Sequence, residues 1–269
     1  MINPLLHRQP VATDRAEHRF VRMKVPVTDW SVASRLNSMF VAATEFADAA
    51  REFPIVFVRA GQDDDGKPAI APIVVLGLVA EENLFVEGAS WRAGYMPALL
   101  RFYPFCIGRL DDQRFAICFD AAWAGVSGTE GERLFTAEGE ATPMLEEVRQ
   151  NLERLDGETQ RTRVLCRRLR DLELLREMRF DATLPGGDKL SVDGFLTVDE
   201  QRLADLPDAQ VLELFRSGAL GLVHAHHVSL GAMRKAVNES NKELLEAAQV
   251  VAAHKLQSNA SGREVSAAG

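Results

Sequence analysis

The chain has 269 residues, of which 46% are hydrophobic and 26% charged, with 19 Gly and 11 Pro. At roughly 150 residues per domain this is one large domain or two small ones, and the balance excludes disordered and collagen-like classes. Lys and Arg number 31 against 39 Asp and Glu, a formal charge of -8, so no nucleic-acid partner is expected. The three cysteines, Cys106, Cys118 and Cys166, contain no CxxC spacing and read as reduced, buried thiols.

Residues 1–36 mix Pro, charge and scattered apolar side chains, which predicts an irregular arm with one strand near Phe20–Val25. Charge returns at Arg15, Glu17 and Arg19 before any apolar run of secretory length, so a cytoplasmic location is expected. From Phe40 onward, Val41, Phe46, Ala49 and Ala50 fall close to one stripe, opposite Glu45, Asp48, Arg51 and Glu52. A short amphipathic helix is predicted there, ended by Pro54. Ile55–Val58 reads as a buried strand and residues 61–68 as a turn. Ala69–Ala80 and the text ENLFVEG give two further strands, which together suggest an antiparallel meander. Ala69–Ala80 is the longest apolar run and stops at Glu81, short of the roughly eighteen residues of a membrane helix, so no membrane span is expected.

Two short strands follow, near Cys106–Leu110 and Arg114–Asp120, with Asp111 and Asp112 at their turn. Residues 121–140 are rich in Gly and acid and read as a long surface connection, the place for an internal boundary. Thr142 caps a helix with Pro143 at its first position, Glu146 and Glu147 in its first turn, and Leu145, Val148, Leu152 and Leu155 as its stripe. A second helix, about Glu158–Leu175, carries Leu165, Leu169 and Leu172 on one face and is predicted to pack against the first. A hairpin comes next, with Pro185, Gly186 and Gly187 at its turn and a bulge at Gly194. Helices finish the chain, started by Asp199 or Thr197 and punctuated by Gly218 and Gly231. From Met233 to about Lys255 a polar helix carries Leu230, Val237, Leu244 and Val251 at heptad spacing, which suits an exposed helix or a homodimer contact. The fold class is therefore α+β, with an antiparallel sheet in the N-terminal half, a helix pair, a hairpin and C-terminal helices. Its divisions are an arm (1–36), an α+β domain (37–233) and a C-terminal helix with a disordered tail (234–269).

Few constellations carry chemistry. His224 and His227 stand at i and i+3, but two imidazoles do not make a metal site, and a packed helix with one hydrogen-bonded core histidine accounts for the cluster. No Walker loop, GxGxxG or GxSxG occurs, so neither metal nor cofactor is expected. Arg161, Arg163, Arg167, Arg168 and Arg170 form a basic helix segment, in which Arg163, Arg167 and Arg170 share a face. A solvated face neutralised by acids such as Glu153 and Glu158 explains it, and an anion or protein-partner site is the alternative. The stretch Trp91, Arg92, Tyr95, Arg101, Phe102 and Tyr103 holds one of three tryptophans and both tyrosines. Amphipathic aromatics among arginines suit a groove for a peptide or small-molecule ligand, although a core segment with surface polar ends has the same composition.

Five ordered blocks of the text resemble the bacterial SapC family. They are FVAATEFADAAREFPIVFV, then APIVVLGL followed by ENLFV, then WRAGYMPALLRFYPF, then LFTAEGEATPML, and last VDGFLTVDEQRLADLPDAQVLELFRSGALGLVHAHHVSLG. By that resemblance Glu45, Glu52, Pro54, Trp91, Arg92, Gly94, Tyr95, Pro97, Arg101, Tyr103, Pro104, Gly139, Pro143, Arg216, Ser217, Gly218 and His226 occupy characteristic family positions. Phe53 stands where tyrosine is usual, and His224 and His227 are not family positions. The family takes its name from a surface-layer association, and its members are similar to products encoded near TonB-dependent receptors and flavin-dependent tryptophan halogenases. Three functions follow as expectations. The first is a non-catalytic accessory protein binding a peptide, modified amino acid or protein partner through Trp91, Arg92, Tyr95, Arg101 and Tyr103, with Arg216 and His226 nearby. The second is an enzyme with His226 as general base and Tyr95 or Glu45 as acid partner. The third is a surface-layer structural protein.

Overall fold

A computed structural model of the protein describes residues 2–109, 114–183 and 189–233. In chain order the elements are β1 (Pro10–Ala12), β2 (Arg22–Met23), a 3-10 turn (Trp30–Ala33) and β3 (Ser38–Phe40). A second 3-10 turn (Ala43–Glu45) leads into α1 (Phe46–Ala49), followed by β4 (Ile55–Gln62), β5 (Pro68–Val75), β6 (Val86–Glu87) and β7 (Ser90–Trp91). Then come α2 (Ala98–Arg101), β8 (Phe105–Arg109), β9 (Phe115–Asp120), β10 (Val126–Ser127), β11 (Glu132–Arg133) and α3 (Pro143–Asp171). The last elements are β12 (Leu175–Thr183), β13 (Lys189–Val198), α4 (Glu200–Ala204), α5 (Asp208–Arg216) and α6 (Ala219–Ser229).

The principal sheet has the order β12-β13-β4-β5-β3, and a smaller one has the order β1-β9-β8. Every pairing in them is antiparallel, and with the helices this makes the fold α+β. The β4–β5 hairpin forms as the apolar runs predict, and so does β8–β9, although the turn assigned to Asp111 and Asp112 lies outside the described residues. The meander goes no further than β4–β5. The ENLFVEG segment instead closes a small ribbon, β6 with β7, and the outer neighbour of β5 is β3. The arm contributes more than one strand, because β1 pairs with β9 and β2 lies between β10 and β11. Residues 121–140 thus supply two short strands rather than an unpaired connection. One cluster of buried apolar side chains takes in residues on both sides of that segment, from Leu6 and Phe46 to Leu145 and Val223.

Gly131 makes the turn between β10 and β11 possible. Its φ is +97°, and a Cβ there would stand 2.3 Å from the Met23 carbonyl oxygen, so a side chain meets both backbone strain and a collision with β2. Gly131→Ala is expected to cost about 2–4 kcal/mol, measured as a lower urea midpoint at unchanged slope.

The predicted helix pair is a single helix, α3, of 29 residues. No proline follows Pro143 within it, and Gly157, with nothing crowding it, costs only about 1 kcal/mol relative to alanine. That is too little to break a helix whose stripe of Leu145, Leu152, Leu155, Cys166 and Leu169 is buried throughout. Thr142 Oγ1 accepts from Leu145 N–H as the capping pattern requires. At the other end Glu173 has φ +54°, and Glu173 and Leu174 donate to the Arg170 and Leu169 carbonyls, a Schellman closure sealed by fully buried Leu174.

The arginines of α3 are neutralised from an unexpected quarter. Arg170 bonds Asp63 and Asp65 at 2.7 and 2.8 Å, and Arg167 pairs with Asp63 at 3.6 Å, so the acidic β4–β5 turn sits on the basic helix face. Glu153 pairs with Arg149, whereas Glu158 does pair with Arg161 as expected. Pro72 faces Phe57 of β4 in the ladder, yet its carbonyl accepts from Val41 N–H. Its ring nitrogen therefore points toward the β3 side, and no rung to β4 is lost. The β12–β13 ladder shifts register opposite Met178–Phe180, where Gly194 at φ +82° supplies the predicted bulge. The turn at Pro185–Gly187, and the helix and tail expected beyond Met233, lie outside the described residues.

Candidate ligand-binding site

Most of the aromatic stretch from Trp91 to Tyr103 faces inward. Trp91 packs on Phe53 and Phe85, with ring centroids 6.1 and 6.0 Å apart, and its indole N–H donates to the Tyr95 carbonyl at 2.9 Å. Tyr95 O–H donates to Glu45 Oε1 at 2.6 Å. The same oxygen accepts from Ala98 N–H at 2.8 Å, the first residue of α2, while Oε2 accepts from Ala42 N–H at 3.0 Å. Glu45 is 8% exposed, and its carboxylate joins the 3-10 turn before α1 to the start of α2. Burial, and then the Glu45 carboxylate, raise the Tyr95 hydroxyl above the ordinary tyrosine range, which leaves it a poor acid near neutrality.

Tyr103 is fixed in the same manner. Its hydroxyl donates to Asp120 Oδ2 at 3.0 Å, and Asp120 Oδ1 accepts from Gln9 and Ala122 N–H. Burial and the Asp120 carboxylate raise its pKa as well. Arg92 reaches solvent and pairs with Glu87, an exposed pair of little energetic weight. Arg216 lies at the end of α5, exposed, with Gly218 at φ +77° opening the turn into α6.

His226 is fully buried. Its Nδ1 bonds the Ile55 carbonyl at 2.8 Å, so this nitrogen carries the proton. Nε2 accepts from Val198 N–H at 3.2 Å and bonds Thr197 Oγ1 at 2.9 Å. Both ring nitrogens are thus committed to the backbone of β4 and β13, and the ring packs 5.0 Å from Phe57. Burial lowers its pKa to about 4. No hydrogen bond brings it to Tyr95 or Glu45, so the three residues of the acid–base expectation fall into two separate networks. His227 donates to the Val198 carbonyl at 2.9 Å and His224 is exposed. Among the described residues no group of three or more His, Cys, Asp or Glu is placed to hold a metal.

What the stretch leaves accessible is a groove of about 490 Å³ bordered by Arg101, Phe102 and Tyr103 on one side, Trp30 with Pro26 on a second, and Met144, Glu147 and Val148 of α3 on the third. Arg101 lies 5.8 Å from the Phe102 ring centroid, and no carboxylate among the described residues forms an ion pair with it. A second cavity of about 390 Å³ adjoins Tyr103 from the other face, lined by Arg8, Lys24, Asp120 and Trp123. Of the residues singled out in the sequence, Arg101, Phe102 and Tyr103 reach the groove, while Glu45 and Tyr95 set the position of α2, on which Arg101 stands. Trp30 and Met144 carry no signal in the sequence, because one lies in an irregular arm and the other reads as an ordinary helix residue.

The architecture is that of an antiparallel α+β protein with an aromatic and arginine groove between its arm, α2 and α3. The SapC family model matches residues 14–235, which is most of the chain, and the protein belongs to the SapC family. No curated protein and no solved structure matches it. No helix among the described residues is long and apolar enough to cross a membrane.

Proposed function

We propose that this SapC-family protein is a non-catalytic accessory protein of the cytoplasm that binds a peptide, a modified amino acid or a protein partner in the Arg101 groove, in the service of outer-membrane nutrient uptake. The observation that carries the reading is the placement of Arg101. Its guanidinium stands without a carboxylate partner among the described residues at the mouth of a cavity walled by Trp30, Phe102 and Met144, a surface fitted to a planar side chain with a carboxylate or carbonyl beside it. The enclosure of His226 favours binding over acid–base chemistry, because a general base must reach the proton it removes.

Calorimetric titration with tryptophan, a halogenated tryptophan and short tryptophan-containing peptides tests this reading. Saturable binding that weakens at least about tenfold in Arg101→Ala, equivalent to about 1.4 kcal/mol, is the expected result. Affinities unchanged in both Arg101→Ala and Phe102→Ala would remove the groove as the site.

A further inference from the structure

A cavity of about 840 Å³ lies elsewhere and shares no lining residue with the Arg101 groove. Its floor is the outer part of β5 with Phe40 of β3, one wall is α3 from Thr159 to Arg167, and the other is the segment Ile2–His7. Three of the large apolar side chains left exposed, Ile2 at 44%, Leu5 at 45% and Val164 at 66%, gather at this one cavity. Apolar side chains ringing a concave apolar floor indicate a cavity that takes an apolar body.

Its charged lining residues are Arg163 and Arg167 of α3 with Asp63 and Asp64 of the β4–β5 turn. Arg163 donates to Gln160 at 3.3 Å and forms no ion pair with a described carboxylate. Arg167 Nε is shielded from solvent and has no hydrogen-bond partner, with Asp63 Oδ2 standing 3.6 Å away. A buried guanidinium N–H without an acceptor is costly, and a ligand carboxylate would supply one. The acids beside it, Asp63 and Asp64, are turned to Arg167, and Asp63 also to Arg170, which leaves Arg163 as the uncompensated charge. The strand forming the floor gives a peptide little to pair with, since Pro68 and Pro72 have no N–H and the Pro68 and Pro72 carbonyls already accept from Arg170 and Val41.

We infer that this cavity binds a free amphipathic anion, a long-chain carboxylate whose hydrocarbon tail lies on β5 beneath Ile2, Leu5 and Val164 and whose head meets Arg163 and Arg167. Dodecanoate, kept monomeric, serves as the probe in calorimetric titration of the full chain, with dodecanol as the uncharged analogue and anionic phospholipid vesicles as a surface control. The expected result is saturable one-to-one binding of dodecanoate, weakened about tenfold in Arg163→Gln and lost in Val164→Asp. Val164 is solvent-facing, so that variant keeps its fold, which its circular dichroism spectrum checks. Dodecanol binding as well as dodecanoate, binding indifferent to both substitutions, or an absence of saturable binding would each overturn the assignment. Vesicle binding that depends on Arg163 would replace the free ligand with a lipid surface. Arg101→Ala leaves dodecanoate affinity unchanged, so this site and the Arg101 groove fail or stand separately.

Discussion

His226→Ala lowers the unfolding free energy by about 3–5 kcal/mol, one of the largest expected single-residue effects in the protein. Truncation leaves the Val198 N–H and the Ile55 carbonyl without their imidazole partners and opens a void beside Phe57, and both penalties fall in fully buried surroundings. The pH dependence gives the same residue a second signature. Its folded pKa of about 4 lies below the unfolded value of roughly 6.5, so between these limits the unfolded chain binds more protons. The contribution of neutral His226 is fully present above about pH 6.5. It is lost as pH falls toward 4, and the 2.5-unit gap amounts to about 3 kcal/mol. His7, whose pKa burial also lowers, adds a slope of the same sign, so the diagnostic quantity is a difference. Denaturation curves from pH 4 to 7.5 should be steeper in pH for the wild type than for His226→Gln. Equal slopes would mean that His226 is not held neutral.

Glu45→Ala is the second large expectation, at about 3–5 kcal/mol. Three donors, Tyr95 O–H, Ala98 N–H and Ala42 N–H, lose one acceptor group, and each unsatisfied buried donor costs about 1–3 kcal/mol. Glu45→Gln should fall between, since an amide offers an oxygen to one side and a clashing N–H to the other. Tyr95→Phe should cost about 1 kcal/mol in the wild type and less in the Glu45→Ala background, the mark of a shared interaction. Because the carboxylate fixes the start of α2, ligand affinity in the Arg101 groove should fall in Glu45→Ala although Glu45 itself does not line the groove. A thermal melt for the single and double variants, with titration of the stably folded ones, checks both statements.

The local signals in the sequence were strong where one mechanism dominated. The Thr142–Pro143 cap, the β4 and β5 runs, the Gly194 bulge and the Asp199 helix start each rest on a short-range preference and reappear in the structure. Misreadings came where a distant partner decided the outcome. ENLFVEG has strand composition, but β3 already occupies the edge of β5. The predicted division into two helices disappears because the buried stripe continues past Gly157. Val11 acquires strand geometry from β9, which an arm without periodicity does not disclose, whereas β2 falls within the strand expected near Phe20–Val25.

The site was legible in part for the same reason. Clustering of Trp91, Tyr95, Arg101 and Tyr103 points to the segment that borders the groove, yet composition does not separate side chains that build the support from those that face solvent. Trp91 and Tyr95 are held by Phe53, Phe85 and Glu45 from elsewhere in the chain, and only folding distinguishes them from Arg101. His226 illustrates the converse. A histidine in a polar-looking HAHH run suggests chemistry, whereas its three partners, Ile55, Thr197 and Val198, assign it to the core.

The continuity of α3 has a mechanical consequence. At about 1.5 Å per residue its 29 residues span about 43 Å, and along that length it lies against β5 of one sheet, β8 of the other and the 3-10 turn that carries Glu45. It behaves as a beam to which both sheets are fastened, so neither sheet can loosen without exposing part of the same apolar stripe. Amide exchange in the middle of α3 should therefore be among the slowest in the molecule, at the rate of whole-molecule unfolding. Both cavities lie along the same beam, with Met144, Glu147 and Val148 bordering the Arg101 groove and Thr159 to Arg167 lining the other.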